Sequence, residues 1–193
     1  SKADTSQGVK AGAVLAAGSF GYNFEGVNAS WANKKIQTYI KVFQMSAENN
    51  YPFYNKTTFE NLLMRQAHAA YKQSGILSST SININKKNIL NLNIWLQDHT
   101  YEIPPDMTNS INTENMNTGI VKLAAEWNQR TDKHLRSFRN GYFKEQMHYE
   151  NIMMNSKNTN TSDVLINEFD DQFLVGKLHR IRAGINHTFE QGN

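Results

Sequence analysis

The sequence predicts a single mainly helical domain, α+β at most, in which a bundle-like arrangement of four to five helices carries one short β-hairpin near residues 80–98. Apolar residues recur three or four positions apart over much of the chain, as one face of a helix requires. Only three prolines interrupt its 193 residues. A chain of this length can bury one sizeable core, so we expect one domain spanning residues 1–193.

Two helices are expected in the first half of the chain. Between residues 30 and 48 most apolar positions share one helical face, and Pro52 follows the end of this segment. Thr57 and Glu60 have the spacing of a capping box, which predicts that a second helix begins there. Gly75 would end this helix in the left-handed conformation.

The hydrophobic period changes between residues 80 and 98. Ile82 and Ile84 alternate with asparagines, and apolar residues alternate with polar ones again over residues 90–96. The polar stretch 85–88 between them is turn-like. An isolated two-stranded hairpin is only marginally stable, so we expect this one to lie across helices or to pair with another chain.

Further helices are expected over residues 118–140, 142–154 and 162–181, with Gly184 beyond the end of the last one, although Gly176 weakens it. A polar, proline-containing connection at residues 103–117 precedes them and is the candidate for an internal hinge loop.

The C-terminal segment, residues 173–189, allows an alternative interpretation. It ends in GINHTF, which resembles the aromatic-terminated last strand of outer-membrane proteins. Such proteins need repeated strands of about 10 alternating residues, and this pattern is not recognised elsewhere in the chain. A helix is therefore favoured here.

The N-terminal segment from Gly8 to Gly21 is rich in glycine and alanine. It is shorter than the roughly 20 apolar residues that a membrane-spanning helix needs, so no transmembrane helix is expected. Packing against its own chain is favoured, with contact to another subunit or to a membrane as the alternative. Residues 1–21 could also form a flexible segment.

The composition excludes some chemistry. Without cysteine the chain has no disulfide and no thiolate metal site. Asparagine is abundant, at 25 residues, and predicts many sharply ended elements. The charge is uneven: residues 1–97 hold ten Lys and Arg against four Asp and Glu, whereas residues 98–193 hold ten against thirteen.

One spacing fits metal or acid–base chemistry. Glu145 and His148 lie three residues apart, as on a shared helix face. Glu126 and His134 could join them if two helices fold back near Gly141, and a carboxylate beside an imidazole can act as a general acid–base pair. A solvated surface pair is favoured, because no second Glu-x-x-His occurs.

Basic residues suggest a nucleic-acid interface as a weaker alternative. The candidates are Lys34, Lys35, Lys86, Lys87, Arg136 and Arg139. The two arginines lie among aromatic residues, a mixture that can hold phosphates and stack bases. Acidic residues follow closely, so a solvated basic edge is favoured.

The leading functional hypothesis is therefore a non-enzymatic structural or interaction subunit of a larger assembly, of virion or secretion type, with other protein subunits as partners in a homo- or hetero-oligomer. No recognisable nucleotide, flavin or zinc-protease motif is present, and no cofactor is expected. A helical enzyme or metal-binding domain and a nucleic-acid-binding module remain as alternatives. A virion, a periplasmic or secreted location, and the cytoplasm are all compatible with the sequence.

Overall fold

The computed structural model describes residues 8–57, 60–108, 111–176 and 179–193. Within these ranges the chain forms eleven strands and no helix, so the prediction of a helical bundle is wrong. Accordingly, no helix in the described part of the chain is long and apolar enough to cross a membrane.

Nine long strands form one antiparallel sheet, in the order β1-β2-β3-β6-β7-β8-β9-β10-β11. Each strand pairs with the long strand next to it in sequence, so the sheet is a continuous meander. The strands are β1 (Gly8–Ala17), β2 (Asn23–Ala32), β3 (Ile36–Ala47), β6 (Tyr71–Asn85), β7 (Asn88–Glu102), β8 (Glu114–Arg130), β9 (His134–Asn151), β10 (Ser156–Val175) and β11 (His179–Gly192).

The long connection between β3 and β6 contains a small second hairpin, formed by β4 (Pro52–Tyr54) and β5 (Leu63–Arg65). It lies at the end of the sheet that carries the two long connections, between β3 and β6 and between β7 and β8. At the opposite end, short turns join β2 to β3, β6 to β7, β8 to β9 and β10 to β11. The sheet therefore has a turn end and a loop end.

Asparagine side chains shape the tight turns. The side-chain oxygen Oδ1 of Asn33 accepts hydrogen bonds from the backbone N–H groups of Lys35 and Ile36, both at 2.7 Å. Asn85 accepts in the same way from the N–H of Lys87 at 2.9 Å. These are the Asx-type contacts that favour asparagine in turns. The expectation that asparagine ends elements sharply is confirmed at both positions.

Apolar residues on both faces of a strand imitate a helical period, and this explains the incorrect helix at residues 30–48. In β3, Ile36 and Ile40 point to one face of the sheet, whereas Tyr39 and Phe43 point to the other. Apolar residues on the same face can be four positions apart, as Ile36 and Ile40 are, and apolar residues on opposite faces can be three apart, as Ile36 and Tyr39 are. This spacing is indistinguishable from a helical stripe when only the sequence is read.

The other predicted helices are strands for related reasons. The segment 118–140 is most of β8, a turn at residues 131–133 and the start of β9, and 142–154 is mainly the rest of β9. The segment 162–181 covers parts of β10 and β11, with Gly176 in the turn at a φ of 67°. Residues 177–178 lie outside the described part of the chain.

The predicted capping box also fails. Thr57 donates its hydroxyl to the side-chain oxygen of Asn55 at 2.6 Å and starts no helix. Of the helix predicted to follow it, residues 58–59 lie outside the described part of the chain. Gly75, expected to end that helix, lies inside β6.

The hairpin expected near residues 80–98 has its turn where the sequence places it, with Ile82 opposite Leu90. Its strands are longer than predicted, because β6 begins at Tyr71 and β7 continues to Glu102. The expected hinge at 103–117 is a connection only up to residue 113, and residues 109–110 lie outside the described part of the chain. Residues 8–17 of the N-terminal segment form β1, while residues 1–7 are also outside it.

The sheet does not enclose a hydrophobic core. No hydrophobic residue in the described ranges is buried. The accessible surface is 13700 Å², whereas a compact monomer of this mass would expose about 9,300 Å². The excess of about 4,400 Å² is the surface of a sheet with nothing packed against it.

Candidate functional site

Side chains sort onto two chemically distinct faces of the sheet. Neighbouring residues in a strand point to opposite faces, and residues paired across strands point to the same one. In β7 the residues Leu90, Leu92, Ile94 and Leu96 define what we call the apolar face. The alternate β7 residues define what we call the polar face, which carries Asn91, Asn93, Gln97 and His99 together with the exposed Ile89 and Trp95.

An apolar belt crosses all nine strands on the apolar face. One member from each long strand, in sheet order, is 37% to 80% exposed: Leu15, Val27, Ile40, Ile76, Ile94, Leu123, Phe138, Phe169 and Ile185. Soluble monomers rarely expose contiguous apolar patches of more than a few hundred Å². The belt is therefore a surface that needs an apolar environment.

The belt has a defined height. In β7 it runs from Leu90 to Leu96, about 20 Å along the strand at the usual rise per residue. Asp98 and Glu102 continue the apolar face of β7 toward the loop end and are charged. Polar residues therefore border the belt on that side.

Aromatic residues border the belt on the turn side. Trp31 lies one residue before the end of β2, and Trp127 lies three residues before the end of β8, opposite Phe138. Tyr142 is opposite Leu123 within the belt, and its hydroxyl donates toward the loop side, to Asp163 at 2.7 Å. Amphipathic aromatic rings suit a boundary between apolar and aqueous surroundings.

A shallow groove of about 730 Å³ follows the loop-side border of the belt. Val42, Ile76 and Leu96 line it on the belt side, and Ser74 and Asp98 line it on the polar side. Ser74 and Gly119, which flank Asp98 in one row across the sheet, add little side-chain volume to the groove. The groove is part of the same boundary and not a separate enclosed cavity.

Two pairs of polar side chains within the apolar face are hydrogen-bonded to each other. Asn140 donates to Asn167 at 2.6 Å across β9 and β10. The hydroxyls of Thr38 and Thr80 are 2.8 Å apart across β3 and β6. Mutual hydrogen bonds lower the cost of placing these groups in an apolar environment.

The polar face carries an ion-pair ladder at its β9–β11 side. The Arg139 Nε atom donates to Glu168 at 2.8 Å, and its guanidinium also pairs with Asp170. Arg182 pairs with Asp170 from the other side at 3.1 Å. Asn186 donates to Glu168 at 3.1 Å. Such a ladder is compatible with contact to water and incompatible with burial in hydrocarbon.

The structure does not bring the four carboxylate and histidine candidates together. Glu126 and Glu145 lie on the polar face, whereas His134 and His148 lie on the apolar face. The two histidines are near opposite ends of β9, about 46 Å apart along the strand. Residues three apart in a strand point in opposite directions, so Glu145 and His148 share no ligand position.

Three of these four candidates have a described hydrogen-bond or ion-pair partner nearby. The Nδ1 atom of His134 lies 3.0 Å from Asp171, and that of His148 lies 2.9 Å from Thr159. Glu126 accepts a hydrogen bond from Asn91 at 3.2 Å. Among the described residues no group of three His, Asp or Glu side chains is placed to hold a metal ion.

The basic candidates divide into two groups. Lys34, Lys35, Lys86 and Lys87 are in the tight turns and lie at the same end of the sheet. Arg136 is on the apolar face, paired with Asp171 at 3.1 Å. Arg139 is on the polar face, in the ion-pair ladder. The structure therefore unites the four lysines and separates the two arginines from each other.

Comparison with known proteins provides no family: no family model matches the chain, and no curated protein is significantly similar to it in sequence. The functional argument accordingly depends on the surface itself. The sequence analysis did not predict the belt, although the alternation of apolar and polar residues at 90–96 is the part of the belt that β7 contributes.

Proposed function

We propose that this chain is a membrane-embedded structural protein of outer-membrane type, whose apolar face contacts lipid hydrocarbon while its polar face contacts water. The observation that carries the proposal is the exposed apolar belt across nine strands, opposite a face with an ion-pair ladder. An interior core would have placed the apolar residues out of reach of solvent.

The strand lengths support this proposal. A strand that crosses a bilayer at a tilt needs about 9–11 residues. The shortest of the nine strands, β1 and β2, have 10 residues each, and β10 has 20. The belt is about 20 Å long along β7, which at a tilt of about 40° is about 15 Å along the bilayer normal, less than the roughly 25 Å height of the apolar band usual for such proteins. This length favours a thin bilayer, and the bacterial outer membrane is thinner than average.

The backbone supports it as well. Hydrocarbon tolerates a backbone only when its N–H and C=O groups are bonded to one another. Seven of the nine strands have a neighbour on both sides, and the outer edges of β1 and β11 would each need a partner strand in hydrocarbon. A membrane environment would also account for the excess of about 4,400 Å² of exposed surface over that of a compact monomer.

The periodicity of lipid contact tests the proposal. Because the chain has no cysteine, a single introduced cysteine is a unique labelling site. Single-cysteine variants at Leu92, Asn93, Ile94 and Gln97 would carry an environment-sensitive fluorophore in vesicles that contain lipids brominated in the acyl chains.

We expect blue-shifted, strongly quenched emission at Leu92 and Ile94 and water-like emission at Asn93 and Gln97. If the emission does not alternate, the proposal fails. The proposal also fails if the labelled protein does not bind to the vesicles and is a dimer in water. In that case a second copy of the chain covers the apolar face.

A second candidate is the assembly subunit expected from the sequence. In the described residues β1 and β11 each pair with a strand on one side only, and every residue of both strands is exposed. Long open edges are templates for pairing with another strand. Cysteines at Ala11 and Ile185 test this candidate: disulfide-linked oligomers in vesicles would support it, and a strictly monomeric product would oppose it.

A further inference from the structure

We propose further that a basic rim at the turn end of the sheet binds the phosphate groups of anionic lipids at one surface of the bilayer. The basic rim consists of Lys34, Lys35, Lys86, Lys87, Arg130 and Lys133. This inference rests on the proposed membrane function and gives it an orientation and a lipid preference.

The turns that carry the rim lie side by side. The backbone N–H of Asn83, at the end of β6, donates to the carbonyl oxygen of Lys35 at 2.7 Å. The N–H of Arg130 donates to the carbonyl of Lys87 at 2.8 Å. Each turn is thereby tied to the next strand. Successive turns are two strand spacings apart, about 10 Å.

The rim charges are available to a ligand. All six side chains are exposed, and none forms an ion pair with another described residue. Asp132 is the one acidic residue in these three turns among the described positions, so six positive charges face one negative charge. Six like charges at a spacing close to the Debye length create a field that attracts a surface of opposite sign.

The other end of the sheet is different. Its loops and strand ends carry six acidic residues, Glu48, Glu60, Glu102, Asp106, Glu114 and Glu150. Four basic residues, Lys56, Arg65, Lys72 and Lys157, accompany them. The two ends of the sheet therefore differ in charge, and both halves of the sequence contribute residues to each end.

The height of the rim matches a headgroup layer. It lies just beyond Trp31 and Trp127, which border the apolar belt on the turn side. Lysine side chains can extend several bonds along the boundary and place the ammonium among phosphates. These charges would also attract a nucleic acid. A lipid surface fits the rim better, because the rim lies next to the apolar belt that we propose contacts lipid.

The test compares two double variants in vesicle association. The rim variant is Lys34→Gln with Lys86→Gln. The matched control is Lys56→Gln with Lys72→Gln, which removes the same charge from the loop end. Association would be measured against vesicles of phosphatidylcholine alone and vesicles containing phosphatidylglycerol, at low and high salt.

For the rim variant we expect association with the phosphatidylglycerol vesicles to fall about 25-fold at low salt, fivefold per lysine, with no change for phosphatidylcholine. The control should change by less than about twofold, and high salt should remove the difference. Equal effects of the two variants, or no preference for phosphatidylglycerol, would overturn the inference.

Tight, salt-sensitive binding of the rim to an oligonucleotide without any lipid preference would overturn it too. Failure to insert into either vesicle, in contrast, would contradict the proposed membrane function itself. The two failures are therefore distinguishable.

Discussion

Replacing Ile94 with arginine tests the lipid contact energetically. Ile94 is 41% exposed on the apolar face, between Ser78 of β6 and Leu123 of β8. It lies about 7 Å along β7 from one end of the belt and 13 Å from the other. Asp98, the nearest acidic residue on this face of the strand, is about 13 Å away, too far for an ion pair.

The magnitude follows from this position. A charged residue on the lipid face near the bilayer centre costs about 2–4 kcal/mol. This corresponds to a roughly 30- to 900-fold lower equilibrium constant for folding into the bilayer. The matched control is Asn93→Arg, one residue away on the polar face, where contact with water should keep the change within about 0.5 kcal/mol.

The assay is reversible urea unfolding of the protein in phosphocholine vesicles, followed by tryptophan fluorescence. Equal destabilisation by the two substitutions would refute the assignment of the faces. A neutral Ile94→Arg would refute lipid contact at this position.

Two further predictions concern packing and charge on the polar face. Gly75→Ala should destabilise the sheet by about 1–3 kcal/mol, because the new Cβ would lie 2.7 Å from the Phe43 ring. The control Gly119→Ala should be tolerated, because its Cβ would meet no atom closer than 3.9 Å. Urea unfolding midpoints of the two variants would be compared. Arg139→Gln should lower the free energy of unfolding by about 1 kcal/mol at low salt, because Glu168 loses its ion pair. Adding Glu168→Gln should restore part of this loss. If the effects of the two substitutions on the free energy of unfolding are additive, the two residues are not coupled.

Local turn chemistry was readable from the sequence. The turn at residues 85–88 has alternating apolar residues on both sides, and the Asn85 side-chain oxygen accepts from the backbone N–H of Lys87 and from the side-chain amide of Asn88. Both signals depend on residues within a few positions of each other. The hairpin could therefore be located without knowledge of the rest of the fold.

The sheet as a whole could not be predicted by the same reasoning. In β8, Leu123 and Trp127 belong to the apolar face, while Ile120 and Ala124 point to the polar face. The apolar residues on the polar face conceal the alternation of the belt. Which face a residue occupies is decided by cross-strand pairing, and a search for helical stripes does not consider it.

The candidate site was affected in the same way. Glu145 and His148 share a face only if the backbone is helical, and β9 places them on opposite faces. The basic turn residues were recognised individually from the sequence. Their alignment at one end follows from the meander order of the strands, which spacing in the chain does not reveal.

The number of strands in the sheet has a consequence for its edges. With nine strands in antiparallel succession, β1 and β11 run in the same direction. Direct pairing of one with the other would create a parallel ladder, with slanted hydrogen bonds, in an otherwise antiparallel sheet. One added strand of opposite direction could pair antiparallel with both at once, so an even total would satisfy both edges in the geometry the rest of the sheet already uses.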